Sequence, residues 1–222
     1  MRKSIILLTV STVMLLAGSA SAQWTEDFDS YPTGGLHGTG GWEGWNGDST
    51  ADAFVVDSIS VSAPNAVAVV DITDITQQFT ETEGAWTLTA QQYIPSGGTG
   101  QTFFILLNTY NPGGGGNSWS TSIQFDLDAG TFAIQEGSAV SVFMTDQWVE
   151  LQIDFDLDNN TQTVYYNEQL VETLPWQSGG ADEFGAIDLF GNGASTVFYD
   201  DLELGPNVSF NQSTWGNIKT IF

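Results

Sequence analysis

The sequence predicts an all-β protein, a single-domain antiparallel β-sandwich over residues 23–205 followed by a tail at 206–222 with a short amphipathic helix. Three observations predict it. Alternating or β-branched runs recur along the chain, separated by Gly, Asn, Asp, Pro and Ser. Helical periodicity is almost absent before the last ten residues. And 14 Phe, 8 Trp and 6 Tyr supply apolar surface for a large core in a chain with no cysteine to staple it.

Residues 1–22, "MRKSIILLTVSTVMLLAGSASA", stand apart from that pattern. Two cations, an apolar run from Ile5 to Leu16 and an Ala20-Ser21-Ala22 ending have the form of a secretory signal peptide cleaved after Ala22. The run is too short for a span of roughly 20 residues, so the expected location is extracellular or at the cell surface. Beyond the leader, Lys219 is the sole cation against 27 acids, a net charge of −26. Such a polyanion has no cationic cluster for nucleic-acid phosphates and would be repelled by an anionic membrane. Self-repulsion keeps it soluble.

The expected strands follow in order. They are 24–31, 53–61, 65–72, 85–94 and 101–110, then 120–127, 131–136, 140–144, 148–157, 161–167, 184–190 and 195–204. Two glycine-rich loops interrupt them, "TGGLHGTGGWEGWNGDS" at 33–49 and "NPGGGGNS" at 111–118. A dozen short strands with turns between them suit a sandwich or barrel.

The stretch "ELQIDFDLDNNTQTVYYNEQ", Glu150 to Gln169, decides how the acids are read. Side chains alternate along a strand, so Leu151, Ile153, Phe155 and Leu157 share the core side. Asp154, Asp156 and Asp158 share the wet side. "DNNT" then turns the chain, because Asn tolerates left-handed backbone. "IQFDLDAG" repeats the pattern, with Phe125 and Leu127 inward. A calcium loop of the EF-hand type does not fit: counted from Asp154, position 6 is Asn159 rather than Gly, and position 12 is Tyr165 rather than Glu. Aspartates two apart on a strand lie ~6.6 Å apart, within the range of glycosidase carboxylates. Catalysis, however, needs one acid held protonated, and a solvated row offers no such asymmetry.

The hairpin "DQWVELQIDFDLDNNTQTVYYNEQLV" resembles bacterial concanavalin A-like lectin/glucanase and laminin-G-like domains, in which a core tryptophan opens a strand leading to a D-x-D hairpin. "WTEDFDSY" resembles the opening strand of jelly-roll carbohydrate-binding modules, and "TVFYDDLEL" their closing strand. The resemblance implies a jelly roll over residues 24–204. Hydrolases of this superfamily carry E-x-D-x-x-E on one strand, a spacing absent here. Its lyases need Arg or Lys with His and Tyr, whereas this chain past its leader has Lys219 and a single histidine, His37, in a loop. No enzyme activity is therefore expected.

Two sets of site residues are expected. On the closing strand, alternation puts Asp200 on the side of Phe198, Leu202 and Leu204, where an unpaired carboxylate costs several kcal/mol. A hard cation held by oxygens would resolve that cost. On the first strand, Glu26 lies on the Phe28 side with Asp29 beside it. The resemblance implies a structural calcium tying these strands through Glu26, Asp29 and Asp200; the alternative is that the acids are hydrated at strand ends. For a glycan, exposed rings stack on sugar faces. Trp42, Trp45 and Asn46 in one glycine-rich loop, and Tyr110, Asn117 and Trp119 around the other, form the expected binding set. Trp24, Trp86 and Trp148 are assigned to the core. In the tail, Trp215, Ile218 and Phe222 share one helical face. The expected protein is a secreted, calcium-stabilised, lectin-like module for a neutral polysaccharide. The alternatives are a self-associating adhesive surface protein and, behind it, a glycoside hydrolase.

Overall fold

The computed structural model describes residues 23–207. The expected leader and the expected tail helix lie outside the described residues. In chain order the strands are β1 (Trp24–Glu26), β2 (Gly34–Gly35), β3 (Trp42–Gly44), β4 (Phe54–Val56), β5 (Ala66–Val69), β6 (Asp74–Glu81), β7 (Ala85–Tyr93) and β8 (Gln101–Thr109). They continue with β9 (Ser118–Asp126), β10 (Thr131–Ile134), β11 (Val140–Val142), β12 (Trp148–Asp156), β13 (Thr161–Tyr166), β14 (Gln169–Leu174), β15 (Phe184–Phe190) and β16 (Val197–Pro206).

Two antiparallel sheets result. The nine-stranded sheet runs β14-β13-β12-β7-β16-β5-β4-β2, with β1 also paired to β16. The seven-stranded sheet runs β11-β10-β9-β8-β15-β6-β3. One apolar core fills the space between them, with Phe155 of β12 stacked on Trp176 at 4.5 Å. A polar link crosses the same space: Gln162 Nε2 of β13 donates to Ser120 O of β9 at 2.6 Å. Among the described residues no helix is long and apolar enough to cross a membrane.

The hairpin at 148–166 forms as its alternation dictates. Leu151, Ile153, Phe155 and Leu157 are buried, while Asp154 and Asp156 are half-buried and Asp158 is exposed. Asn160 turns the chain at φ 51°. The following turn places both Asn167 and Glu168 in the left-handed region, at φ 50° and 62°, as the commonest two-residue hairpin turn requires.

Three expectations need correction. Trp148 is not a core residue: it is half-buried on the outer side of β12, with its ring 5.5 Å from that of Tyr93. Trp24 and Trp86 are also half-buried, but they pack against the core cluster. In β16, Asp200 does not share a side with Leu202 and Leu204. A register shift falls between Asp200 and Glu203, and Asp201 sits at φ 44°. One extra residue reverses the alternation, so Val197 and Tyr199 enter the core before the bulge and Leu202 and Leu204 after it. Asp200 thus faces the other side, where the Val61 N–H meets its carboxylate. The strands β6 and β14 were not expected at all; "DITQQFTE" and "QLVETL" are too polar to advertise themselves.

Candidate functional site

The seven-stranded sheet has one face in the core and one turned away, and the outward face is unusually apolar. On β15, Ile187 and Leu189 point into the core, which leaves Ala186, Asp188 and Phe190 outward. On β8, Phe104 and Leu106 point inward and Phe103, Ile105 and Leu107 outward. Phe103 and Phe190 stack at 5.7 Å and 27°. Together they floor a groove of about 470 Å³, whose lining also includes Trp45, Trp119, Asp74, Glu136 and Asp188. A second hollow of about 330 Å³ adjoins it, sharing Asp74 and Phe190.

The two glycine-rich loops meet at one end of this groove. Trp45 begins a 3₁₀ turn in which Asn46 adopts left-handed backbone, φ 57°. The Asn46 N–H donates to Tyr110 Oη at 3.0 Å, and Gly113 N–H donates to Asn46 Oδ1 at 2.8 Å. Asn111 N–H donates to Asn117 Oδ1 at 2.7 Å. These bonds tie the loops together and set Trp45 beside Tyr110, at 4.9 Å, and beside Trp119, at 6.4 Å with their planes 15° apart. Trp119 is 47% exposed.

The expected glycan set therefore divides. Trp45 and Trp119 line the groove and Tyr110 supports Trp45. Asn46 and Asn117 commit their side-chain oxygens to holding the loops. Trp42 leaves the set: it is 0% exposed, its ring stands 6.0 Å from Phe28, and its Nε1–H donates to Glu26 Oε2 at 3.1 Å. Its place on β3, paired to Gln77 of β6, carries it under the sheet rather than over it. His37 accepts a hydrogen bond from Gly44 N–H at Nδ1, 3.0 Å away, and serves the loop rather than the groove.

The expected metal set divides as well. Glu26 pairs with Leu202, so it points inward, whereas Asp200 points outward. Glu26 already has donors on both oxygens: Phe28 N–H on Oε1, and Tyr31 Oη–H and Trp42 Nε1–H on Oε2. It needs no cation. Asp200 accepts from Val61 N–H at 2.7 Å and Asp201 N–H at 2.8 Å. Burial nevertheless pushes its carboxyl up to about 6, with Asp201 and Asp29 adding repulsion. Among the described residues, no three acid or histidine side chains converge on a cation position.

No Lys or Arg occurs between residues 23 and 207, so buried acids must be stabilised otherwise. Several take backbone N–H donors: Glu26 and Asp200 as above, and the half-buried Asp52 from Leu36 and His37. Asp188 and Asp74 are the exception. Asp188 is 3% exposed, and neither its Oδ1 nor that of Asp74 has a hydrogen-bond partner. They lie diagonally across the β15–β6 ladder, where Asp188 faces Thr76 and Phe190 faces Asp74. Burial first, then the neighbouring carboxylate, raises Asp188 well above the ordinary carboxyl range. Burial raises Asp74 as well. Each carboxylate's charge thus disfavours ionisation of the other. Sequence reasoning missed both residues. The one signal available was an aspartate at the centre of the apolar run "FGAIDLF", where a strand buried on both sides would hold it.

The architecture is the concanavalin A-like jelly roll. No family model and no curated protein sequence matches the chain. Among solved structures, a sialidase is similar with a TM-score of 0.57 at 10% identity, over 85% of this chain and 19% of that one. The carbohydrate recognition domain of Emp47p is similar at 0.50 and 9%, over 86% and 99%. A Trypanosoma rangeli sialidase in complex with sialic acid is similar at 0.50 and 14%, over 73% and 28%. The chain thus spans between about a fifth and three tenths of the length of those sialidases. At these identities the likeness concerns the fold.

The expectation of no enzyme activity is corrected by these findings. Enzymes share this sandwich with a lectin-type domain, and the physical ground for excluding catalysis was the want of a carboxylate held protonated. Asp188, whose carboxyl burial raises above the ordinary range, is a group of that kind.

Proposed function

We propose that this is an exported protein that binds a neutral polysaccharide along the outward face of its seven-stranded sheet. The observation that carries the reading is the pair of near-parallel indoles, Trp45 and Trp119, at the rim of a groove with a phenylalanine floor and carboxylate walls. Rings and floor suit the apolar faces of pyranose sugars, and Asp74, Asp188 and Glu136 suit their hydroxyls. A groove with three acids, in a chain with no Lys or Arg from 23 to 207, favours an uncharged ligand.

Trp119→Ala tests it. Half-exposed, the ring contributes little to the core, so the fold is expected to keep its melting temperature while affinity for a retained polysaccharide falls about tenfold or more, equivalent to ~1.4 kcal/mol. Affinity electrophoresis in gels containing neutral β-glucan, xylan or mannan reads this directly. Equal retardation of the variant and the parent protein would remove the groove from the binding site.

Calcium enters this proposal only through Asp29 and Asp200, whose charges repel one another with no Lys or Arg in residues 23–207 to offset them. If an ion joins them, calcium added to chelator-treated protein at neutral pH raises the melting temperature, and Asp200→Ala abolishes the rise. An identical melting curve with and without calcium would dismiss the ion.

A further inference from the structure

We propose that the groove also hydrolyses the glycan it binds, with Asp188 as the acid that protonates the leaving glycosidic oxygen and Glu136 as the base that takes a proton from the attacking water. This rests on the glycan-binding reading above. The placement of the two residues follows from the ladders. Asp188 of β15 faces Ile105 of β8, and Ile105 faces Ser122 of β9, so the three stand in one row on the outward face. Glu136, just past β10, is fixed over that row: Ser122 N–H donates to its Oε2 at 2.7 Å and Ser122 Oγ–H to its Oε1 at 2.7 Å. Two strand spacings separate Asp188 from the residue that holds Glu136, on the order of 10 Å. Inverting glycosidases likewise place acid and base apart, on opposite faces of the sugar, which leaves room for a water beside the base.

The two walls differ in the way such chemistry requires. Glu136 is exposed to solvent and held in place by two hydrogen bonds. Asp188 is buried, has no backbone donor, and lies against Asp74, a surrounding that favours its proton. Asp74 acts as a positioning residue whose neighbouring charge favours this proton. In the reaction, the C–O bond to the leaving sugar breaks as its oxygen takes the Asp188 proton. A water oxygen forms the new bond to the anomeric carbon from the opposite face and gives its proton to Glu136. Glu136 then releases that proton to solvent, and Asp188 is reprotonated. No oxidant, metal or second substrate is needed. The carboxylate walls also argue against an anionic sugar as the substrate, in contrast to the sialic acid bound by the T. rangeli sialidase.

The full chain, Asp188→Asn, Glu136→Gln and Trp119→Ala are incubated with soluble β-glucan, xylan and mannan. Reducing ends are measured, affinity gels are run in parallel, and the anomer released first is identified by proton NMR. Expected are release by the parent protein, inverted configuration, and a loss of release of about 100-fold or more in Asp188→Asn, far larger than any loss of gel retention. Trp119→Ala should instead lose retention and release together. Retention without release on every polysaccharide overturns hydrolysis and leaves the binding reading standing. Release with retained configuration, or at the parent rate in Glu136→Gln, overturns the assignment of the base. Neither retention nor release overturns both readings.

Discussion

Trp42→Ala is expected to destabilise the fold by about 3–5 kcal/mol, the usual cost of truncating a fully buried tryptophan or phenylalanine. Trp42 meets Phe28, Trp24 and Glu26 where β3 tucks against the core. Its loss opens a void and also removes a donor from a buried carboxylate that has no cation to turn to. Domains are stable by roughly 5–15 kcal/mol, so the change consumes a large share of the total. Urea denaturation followed by tryptophan fluorescence measures it, with Trp119→Ala as a companion that leaves the midpoint almost unmoved. Trp42→Phe should recover part of the loss by refilling the void, but not the hydrogen bond to Glu26. A midpoint for Trp42→Ala within about 1 kcal/mol of the parent would mean that the ring is not buried.

Thermal stability is expected to peak in mildly acidic solution and to fall toward neutral pH, and Asp188→Asn is expected to flatten that fall. Three carboxyls, those of Asp188, Asp74 and Asp200, are raised by burial. Folded, each holds a proton that the unfolded chain gives up near 3.8. The folded state then binds more protons, and stability is lost as pH rises through the folded value, about 6 for Asp200. Asp48, Asp126 and Asp146 act in the opposite sense. Hydrogen bonds from backbone N–H groups lower each of them, so their contribution is present above the unfolded value and is lost in stronger acid. Between those two windows lies the maximum. Asparagine at 188 can keep a donor toward Asp74 without a proton to lose, so the variant should melt higher than the parent at neutral pH. In a chain of this size, each kcal/mol corresponds to about 2–4 °C. Melting curves from about pH 3 to 8 check it; a steady rise through the range, unchanged in Asp188→Asn, would contradict it. Under the hydrolytic proposal, the same substitution gains stability and loses activity, a trade familiar where function requires a strained group.

The parts of this fold that could be read from sequence are those in which one strand's own alternation decides its environment. Leu151, Ile153, Phe155 and Leu157 needed no partner to be identified, since every second side chain is apolar and every intervening one polar. What could not be read depends on neighbours. The bulge at Asp201 reverses the side of Asp200, and nothing in "FYDDLEL" marks which residue is the extra one. Trp42 and Trp119 both lie in or beside glycine-rich loops, yet pairing with Gln77 draws the first beneath the sheet while the second stays at the rim. The groove was half legible, through Trp45 and Trp119. Its acids were not, because Asp74 and Asp188 lie far apart in the chain, on strands that only the ladder between β6 and β15 brings together.

With no lysine or arginine from residue 23 to 207, dissolved electrolyte acts on this fold almost entirely in one direction. It has hardly any attractive ion pairs to weaken and a great deal of like-sign repulsion to shield. Brine should therefore tighten the molecule, whereas fresh water should leave it at its loosest.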